Sequence, residues 1–158
     1  MAKKIAALLL TLFWPLAAQA ADIPWQLREV RRQQGSLDYC VADHALPDGR
    51  HINLARDPEG RMNLGLVLPG AGFTPQQRLP LQLAFDKARP RPIAAQTLSD
   101  AMLLIDLPDA SWQQLLARSR TLTVTGVGRG KLTYQLGKLQ PVLDGLADCA
   151  KQQQQALP

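Results

Sequence analysis

Tight turns that bracket alternating apolar and polar residues constrain the fold of this chain more than any other feature. Turn signals stand at 48–49 (Asp-Gly) and 57–60 (Asp-Pro-Glu-Gly), and the residues at 51–55 and 62–68 alternate in character. Successive side chains of a strand point to opposite faces of a sheet, so this pattern is typical of strands with one buried face. With a further strand before the first turn, the pattern predicts a three-stranded meander over about 36–68.

Most of the remaining chain shows the same alternation. It predicts further strands at 81–86, 93–97, 101–107, 121–125 and 131–136. Residues 73–80 contain two prolines and are predicted to form a loop, while 25–34 fits either a strand or a helix. Because short strands follow one another with turn signals between them, the predicted fold class is mainly β, an antiparallel β-sandwich or barrel.

Two helices are predicted to accompany the strands. A short helix is expected near 109–118, because Asp109 can accept hydrogen bonds from the free N–H groups of the first turn. A C-terminal helix is expected near 141–151, where Pro141 suits the first helical position and apolar residues recur at helical spacing. Cys149 then falls on the packed face of this second helix.

The amino-terminal segment has the three parts of a secretory signal peptide. Lys3 and Lys4 give a positive start, 5–16 is an apolar run, and 18–20 (Ala-Gln-Ala) is a cleavage site of small residues. The run of about a dozen residues is shorter than the roughly 20 that span a membrane, which disfavours the alternative of an uncleaved anchor. We therefore predict cleavage after Ala20 and a periplasmic or secreted protein with no transmembrane segment.

The exported chain is expected to form a single β-rich domain over 21–151, followed by a flexible polar tail over 152–158. Two of the 18 Lys and Arg residues, Lys3 and Lys4, belong to the signal peptide, so the exported chain is less basic than the net charge of +5 implies. The other basic residues are scattered and not interleaved with aromatics, so no nucleic acid partner is predicted. An anionic polymer or lipid headgroup is the weaker alternative.

Cys40 and Cys149 are the only two cysteines of the chain, and both lie in the exported part. Cysteines in an oxidising compartment tend to pair, and the chain has no Cys-x-x-Cys motif that would indicate redox catalysis. A bond between them closes a loop of about 110 residues, for which the chain-entropy model gives a stabilisation of about 4–5 kcal/mol. We predict a structural disulfide that joins the C-terminal helix to the first strands.

Two short motifs could carry chemistry, and each has a simpler structural interpretation. The glycine-rich stretch at 126–130 resembles a phosphate-binding loop, but a strand rather than a helix is predicted after it, which favours a hairpin turn. Asp43, His44 and His51 could contribute to a metal site, although zinc sites usually need three or four ligands with supporting partners. No metal and no cofactor is predicted.

Common hydrolase motifs are absent from the sequence. It contains no Gly-x-Ser-x-Gly, Ser-x-x-Lys or His-Glu-x-x-His pattern. Asp86, Asp106 and Asp109 lie at predicted strand ends, where carboxylates could converge for glycoside hydrolysis, but turns and helix caps use the same residue type. No catalytic residue is therefore predicted, and the protein is expected not to be an enzyme.

Several segments, taken in order, resemble the invasion-associated locus B family of secreted bacterial proteins. The resemblance is carried by Trp25, Cys40, the Leu-Val-Leu-Pro-Gly break at 66–70, the strand at 81–86, and the glycine and amphipathic helix at 137–146. The chain departs from the family pattern in lacking its additional cysteines. The resemblance implies a periplasmic or surface β-sandwich without catalytic machinery, and it supplies no catalytic residues.

The leading functional hypothesis is a non-enzymatic module that binds another envelope or secreted protein. The candidate contact residues are Trp25, Arg28, Arg31 and Arg32, because Trp and Arg are over-represented at binding hot spots. In the competing interpretation, Trp25 packs in the core and the arginines are solvated. One alternative function is an inhibitor or immunity protein of a periplasmic enzyme. Another is a small-ligand carrier or envelope hydrolase with a pocket between sheet and helix.

Overall fold

The computed structural model describes residues 23–33, 37–128 and 130–154. The predicted signal peptide at 1–20 and residues 155–158 of the predicted tail lie outside the described residues. The described residues form nine β-strands and two α-helices: β1 (Gln26–Arg31), β2 (Leu37–Ala45), β3 (His51–Arg56), β4 (Met62–Val67), β5 (Arg78–Phe85), β6 (Arg91–Thr97), β7 (Met102–Leu107), α1 (Ala110–Arg118), β8 (Thr121–Thr125), β9 (Lys131–Gln135) and α2 (Gln140–Gln154).

The described strands form one antiparallel sheet in the order β1-β2-β3-β4-β7-β6-β5-β8-β9. The sheet curls into a half-barrel, which confirms the predicted mainly β, antiparallel fold with two helices. The predicted meander corresponds to β2–β4, in which Ile52 of β3 pairs with His44 on one side and Leu66 on the other. The ambiguous segment at 25–34 contains strand β1.

Alternation along the strands sends one set of side chains into a buried core. Ile52 and Leu54 of β3, Leu64 of β4 and Ile105 of β7 have no exposed surface. Burying an aliphatic side chain of this size stabilises the fold by about 1.5–3 kcal/mol relative to exposing it, so these residues determine which face is inside. The residues between them on β3 point to the other face and stay partly exposed.

Both helices bury one side against the core. Helix α1 begins after Asp109, whose carboxylate accepts hydrogen bonds from the N–H groups of Ser111 and Trp112, as predicted for the cap. Trp112 and Leu116 are the buried residues of this helix. Helix α2 packs against β1–β3 and buries Leu146 completely. Neither described helix is long and apolar enough to cross a membrane.

Two segments are more regular than the sequence predicts. Strand β5 begins at Arg78, so Pro80, which was expected in a loop, lies within a strand. Proline has no N–H to donate to a neighbouring strand. The ladder between β5 and β8 begins only at Gln82, so it does not include Pro80. Helix α2 continues to Gln154, so 152–154 of the predicted flexible tail are helical, because glutamine is a good helix former.

The predicted disulfide is present and joins the sheet to α2. Cys40 of β2 and Cys149 of α2 are bonded, and their Cα atoms are 6.3 Å apart. Cys40 has no exposed surface, so the bond is anchored in the core. The disulfide therefore holds α2 over the first three strands.

Side chains link the two edges of the curled sheet. Within the described residues, no ladder pairs β1 with β9. Instead, Trp25 Nε1, just before β1, donates to the carbonyl of Leu136, just after β9, at 3.0 Å. The Arg50 guanidinium, next to the β2–β3 turn, lies 5.1 Å from the centre of the Tyr134 ring of β9, within the range of a cation–π contact. The first contact joins the two edges of the sheet, and the second joins β9 to the residues beside the β2–β3 turn.

Candidate binding groove

The sheet face that points away from the core carries a broad groove. Outward side chains of β1–β4 and β7 line it, and its volume is about 1210 Å³. His51 and Asn53 show how it arises: they alternate with the core residues Ile52 and Leu54 and so point to the opposite face. In the part of the chain that the structure describes, neither helix contributes a residue to the lining.

One end of the groove carries four apolar side chains, with His51 beside them. Val67 of β4 lies opposite Met102 of β7, and Leu104 follows Met102 on the same face. Leu98, in the β6–β7 turn, also lines this region and is 46% exposed. A single exposed apolar residue is ordinary, whereas a contiguous group indicates a contact surface. We call these four residues the apolar end.

The other end of the groove is charged. Arg32 pairs with Asp38 at 3.0 Å beside the β1–β2 connection. In the β3–β4 turn, Arg61 pairs with Asp57 and also lies 3.5 Å from Glu59. We call these residues the charged end. Exposed ion pairs contribute little to folding stability, so these residues matter mainly for the charge that the surface presents.

The floor between the two ends carries two amide side chains beside Val41 and Ala55. Asn53 lies across Gly65 on the neighbouring strand, where a Cβ at position 65 would overlap the Asn53 side-chain oxygen. With its nitrogen oriented toward Asp106, the Asn63 amide donates to a carboxylate oxygen of that residue at 2.9 Å. A primary amide both donates and accepts hydrogen bonds, so this floor can bind the backbone groups of a polypeptide.

The structure separates the four predicted contact residues. Arg28 and Arg32 line the groove, and each is paired with a carboxylate. Arg31 pairs with Glu29 and, like Trp25, is not part of the groove lining among the described residues. The four residues are therefore divided between the groove and other surfaces. A partner contact by any of them stays a prediction.

Trp25 is held by contacts within the protein. Its side chain packs against the core, and its ring lies 5.6 Å from that of His44. Its indole N–H donates to the carbonyl of Leu136, a residue with no exposed surface. A hydrogen bond to a buried carbonyl is costly to lose, because water cannot readily replace the donor. This placement agrees with the interpretation in which Trp25 packs in the core.

Trp25→Phe is expected to lower the free energy of unfolding by about 1 kcal/mol, because it removes the donor to a buried carbonyl while keeping an aromatic ring. Urea unfolding followed by circular dichroism measures the change. Gln26→Ala, at the exposed neighbouring position, is the control and should change stability by less than about 0.5 kcal/mol. An unchanged midpoint for Trp25→Phe would mean that the link between the sheet edges does not stabilise the fold.

The three possible metal ligands, Asp43, His44 and His51, all line the groove but do not converge as a ligand group among the described residues. Asp43 forms an ion pair with Arg28 at 2.8 Å. The His44 ring is tilted by 41° against that of Trp25, and His51 lies opposite Val67 on the neighbouring strand. Across residues 23–33, 37–128 and 130–154, no group of three His, Cys, Asp or Glu side chains is placed to hold a metal ion.

The glycine-rich stretch at 126–130 is a hairpin turn between β8 and β9. Gly126 and Gly128 have φ angles of +103° and +64°, which favour glycine. Strand β9 follows the turn, so the stretch does not lead into the helix N-terminus that a phosphate-binding loop uses. The hairpin interpretation is therefore confirmed, although Arg129 itself lies outside the described residues.

The three carboxylates considered for catalysis serve separate local contacts. Desolvation raises the pKa of Asp86, but hydrogen bonds from Arg120 and Thr121 together outweigh it and lower the pKa below its usual value. Asp109 caps α1, and the hydrogen bond from the serine hydroxyl of the first turn lowers its pKa. Asp106 bonds to the amide on the groove floor. A lowered pKa keeps a carboxyl charged, which is the opposite of what a general acid needs.

The sequence does not predict the groove. Its lining residues share one signal, which is that they occupy the positions between buried ones in each strand. That signal locates a groove only when the strand order is known, because β4 pairs with the distant β7. Val67 and Met102 become neighbours only through this pairing.

The fold defines the class of the protein, which is an antiparallel β half-barrel linked by a disulfide. Disulfides persist outside the cytoplasm, so this is the class of an extracytoplasmic protein. Among solved structures, the chain is similar to the crystal structure of invasion associated protein B from Bartonella henselae, with a TM-score of 0.56. The sequences are 15% identical, and the match covers 82% of this chain and 95% of that chain. The similarity shows a shared fold and confirms the sequence resemblance at that level. No family model and no curated protein matches the chain.

Proposed function

We propose that the protein is a non-enzymatic binding module of the periplasm that engages another envelope protein through the groove. The observation that carries the proposal is the position of the groove on the outer sheet face, with an apolar end and a charged end. Specific protein interfaces combine apolar and polar contacts, and this surface offers both.

The dimensions of the groove favour a macromolecular partner. Its volume of about 1210 Å³ is larger than the roughly 300–1,000 Å³ typical of small-molecule pockets. A second, smaller cavity of about 330 Å³ lies between β1 and α2, beside Cys149. A ligand carrier or hydrolase with its pocket between sheet and helix would use a cavity such as this one, whose volume is at the low end of that range, so the groove is the favoured site.

The periplasmic location rests on two features of the chain. The sequence begins with a predicted signal peptide, and the disulfide between Cys40 and Cys149 requires an oxidising environment to persist. Release from the cell is the alternative. Fractionation of cells and medium distinguishes the two locations.

The test of the groove compares two leucines on the exported chain, residues 21–158. Leu98 and Leu27 are similarly exposed, at 46% and 48%, but of the two Leu98 alone lines the groove. The wild-type protein and the variants Leu98→Asp and Leu27→Asp are immobilised and exposed to an envelope extract, after circular dichroism has shown that all three are folded. Bound proteins are identified by mass spectrometry.

We expect the wild type and Leu27→Asp to retain one stoichiometric protein partner, and Leu98→Asp to lose it, because a buried unpaired carboxylate is unfavourable in an apolar contact. A periplasmic enzyme as the partner would assign the chain as an inhibitor or immunity protein, and a non-enzyme would assign it as an adaptor. A wild type without a stoichiometric partner, or retention by Leu98→Asp, would overturn the proposal.

A further inference from the structure

We propose that the groove binds an extended polypeptide segment with aliphatic side chains at one end and basic side chains at the other. This inference rests on the proposed function and adds the chemistry of the segment that the partner presents. Three observations support this inference: the distance between the two ends of the groove, the charge at one end, and the amides between the ends.

The distance between the two ends determines the length of the ligand. Strand β3 runs from His51, which pairs with Val67 of the apolar end, to the turn that contains Asp57 of the charged end. About six residues of strand, each rising about 3.3 Å, place the two ends roughly 20 Å apart. An extended segment of about six or seven residues spans this distance, whereas a small polar ligand does not.

The residues that line the charged end carry three carboxylates and two guanidinium groups. Arg32 is engaged by Asp38, and Arg61 is shared between Asp57 and Glu59. The Glu59 side chain is 67% exposed and 3.5 Å from the guanidinium, so it remains accessible to an incoming cation. The exported chain has 16 Lys and Arg residues against 13 Asp and Glu, so this local surplus is opposite in sign to the protein as a whole. Charge complementarity therefore favours a basic segment at this end.

The floor favours a polypeptide over a lipid chain. Asn53 lies partly exposed across Gly65 and offers both a donor and an acceptor, as a peptide group does. An acyl chain laid over this floor would cover the Asn53 amide. The amide would lose its hydrogen bonds to water and gain none in return, which is unfavourable. A peptide backbone can form those hydrogen bonds while its side chains reach the two ends.

The probes for this inference are acetylated and amidated octapeptides with two leucines at one end, two lysines at the other and serines between, made in both chain directions. Isothermal titration against the wild-type exported chain measures their affinity. We expect one direction to bind. Replacing its lysines with glutamates should weaken binding at least about tenfold, because attraction at two positions becomes repulsion. Replacing the leucines with serines should also weaken binding by at least about tenfold.

Two protein variants locate the basic residues of the peptide. Glu59→Lys should weaken binding of the leucine–lysine peptide about fivefold, because an exposed ion pair is replaced by repulsion of similar size. Glu29→Lys is the matched control, since Glu29 lies outside the groove lining. Its affinity for the peptide should equal that of the wild type.

Equal binding of the lysine and glutamate peptides would overturn the inference, as would the absence of binding by every peptide. In either case, capture of a partner that depends on Leu98 would still support the proposed function, so the two failures are distinguishable. If Leu98→Asp changes neither the capture nor the peptide affinity, both proposals are wrong.

Discussion

Replacing both cysteines with alanine, Cys40→Ala together with Cys149→Ala, should lower the free energy of unfolding by about 2–5 kcal/mol. The disulfide joins residues that are 109 positions apart, so its removal restores conformational freedom to most of the unfolded chain. Alanine is the appropriate replacement because Cys40 is fully buried, and serine would place a hydroxyl there without a certain partner. Urea unfolding followed by far-UV circular dichroism measures the loss.

Reduction of the wild-type protein is the matched control, because it breaks the same bond without changing the chain. We expect the reduced wild type and the double variant to unfold at similar urea concentrations, both below that of the oxidised wild type. Cys149→Ala alone should behave like the double variant under reducing conditions. Equal midpoints for the oxidised and reduced wild type would show that the bond does not stabilise the native state.

The structural effect of breaking the bond should be concentrated in α2. Without the disulfide, this helix is held by apolar contacts of residues such as Leu146 and Ala150. The groove lies on the other side of the sheet, and its described lining contains no residue of α2. We therefore expect the folded fraction of the reduced protein to keep the groove, so that loss of stability and loss of binding can be measured separately.

Local pattern and turn chemistry are sufficient to predict the first part of this fold. The alternation around Ile52 and Leu54, with a turn on each side, predicts the meander that β2–β4 form. A hairpin brings consecutive segments together, so its strands and its turn are both visible in a short window of sequence. The cap at Asp109 and the turn at 126–130 are predicted for the same reason.

Sheet order and register are not local, and the groove depends on both. Leu64 of β4 pairs with Ile105 of β7, although β5 and β6 lie between these strands in the sequence. A shift of one residue in this register would turn every side chain of a strand to the other face. The sequence therefore predicts that outward residues such as Val67 exist, but not that Val67 lies opposite Met102.

Composition alone does not distinguish a tryptophan of a binding site from one that packs against the core, and Trp25 is an example. Tryptophan is frequent at binding hot spots and also frequent in cores, and the two situations differ only in its neighbours. Here the neighbours are His44 and the carbonyl of Leu136, which the curled sheet brings to Trp25 from distant parts of the chain. Leu98 is the opposite case. Nothing in the local sequence marks it, yet the pairing of β7 with β4 brings the β6–β7 turn to the groove.

Gly126→Ala should lower the free energy of unfolding by about 2–4 kcal/mol, because two costs add at this position. Gly126 has a φ of +103°, which an L-residue with a side chain adopts only under strain. A Cβ there would also lie 2.7 Å from the carbonyl oxygen of Pro80, a backbone atom that cannot rotate away. Either the β8–β9 hairpin or strand β5 must shift to accommodate the methyl group.

Gly128→Ala in the same turn separates the two costs. Its φ of +64° lies in the left-handed region, and no atom of the described residues beyond its chain neighbours stands within 4 Å of an added Cβ. Only the conformational cost remains, so we expect a loss of about 1 kcal/mol or less. Urea unfolding of both variants gives the difference, which measures how closely the hairpin packs against β5. Equal losses would mean that the contact with Pro80 relaxes without cost and that the turn is held by its own conformation alone.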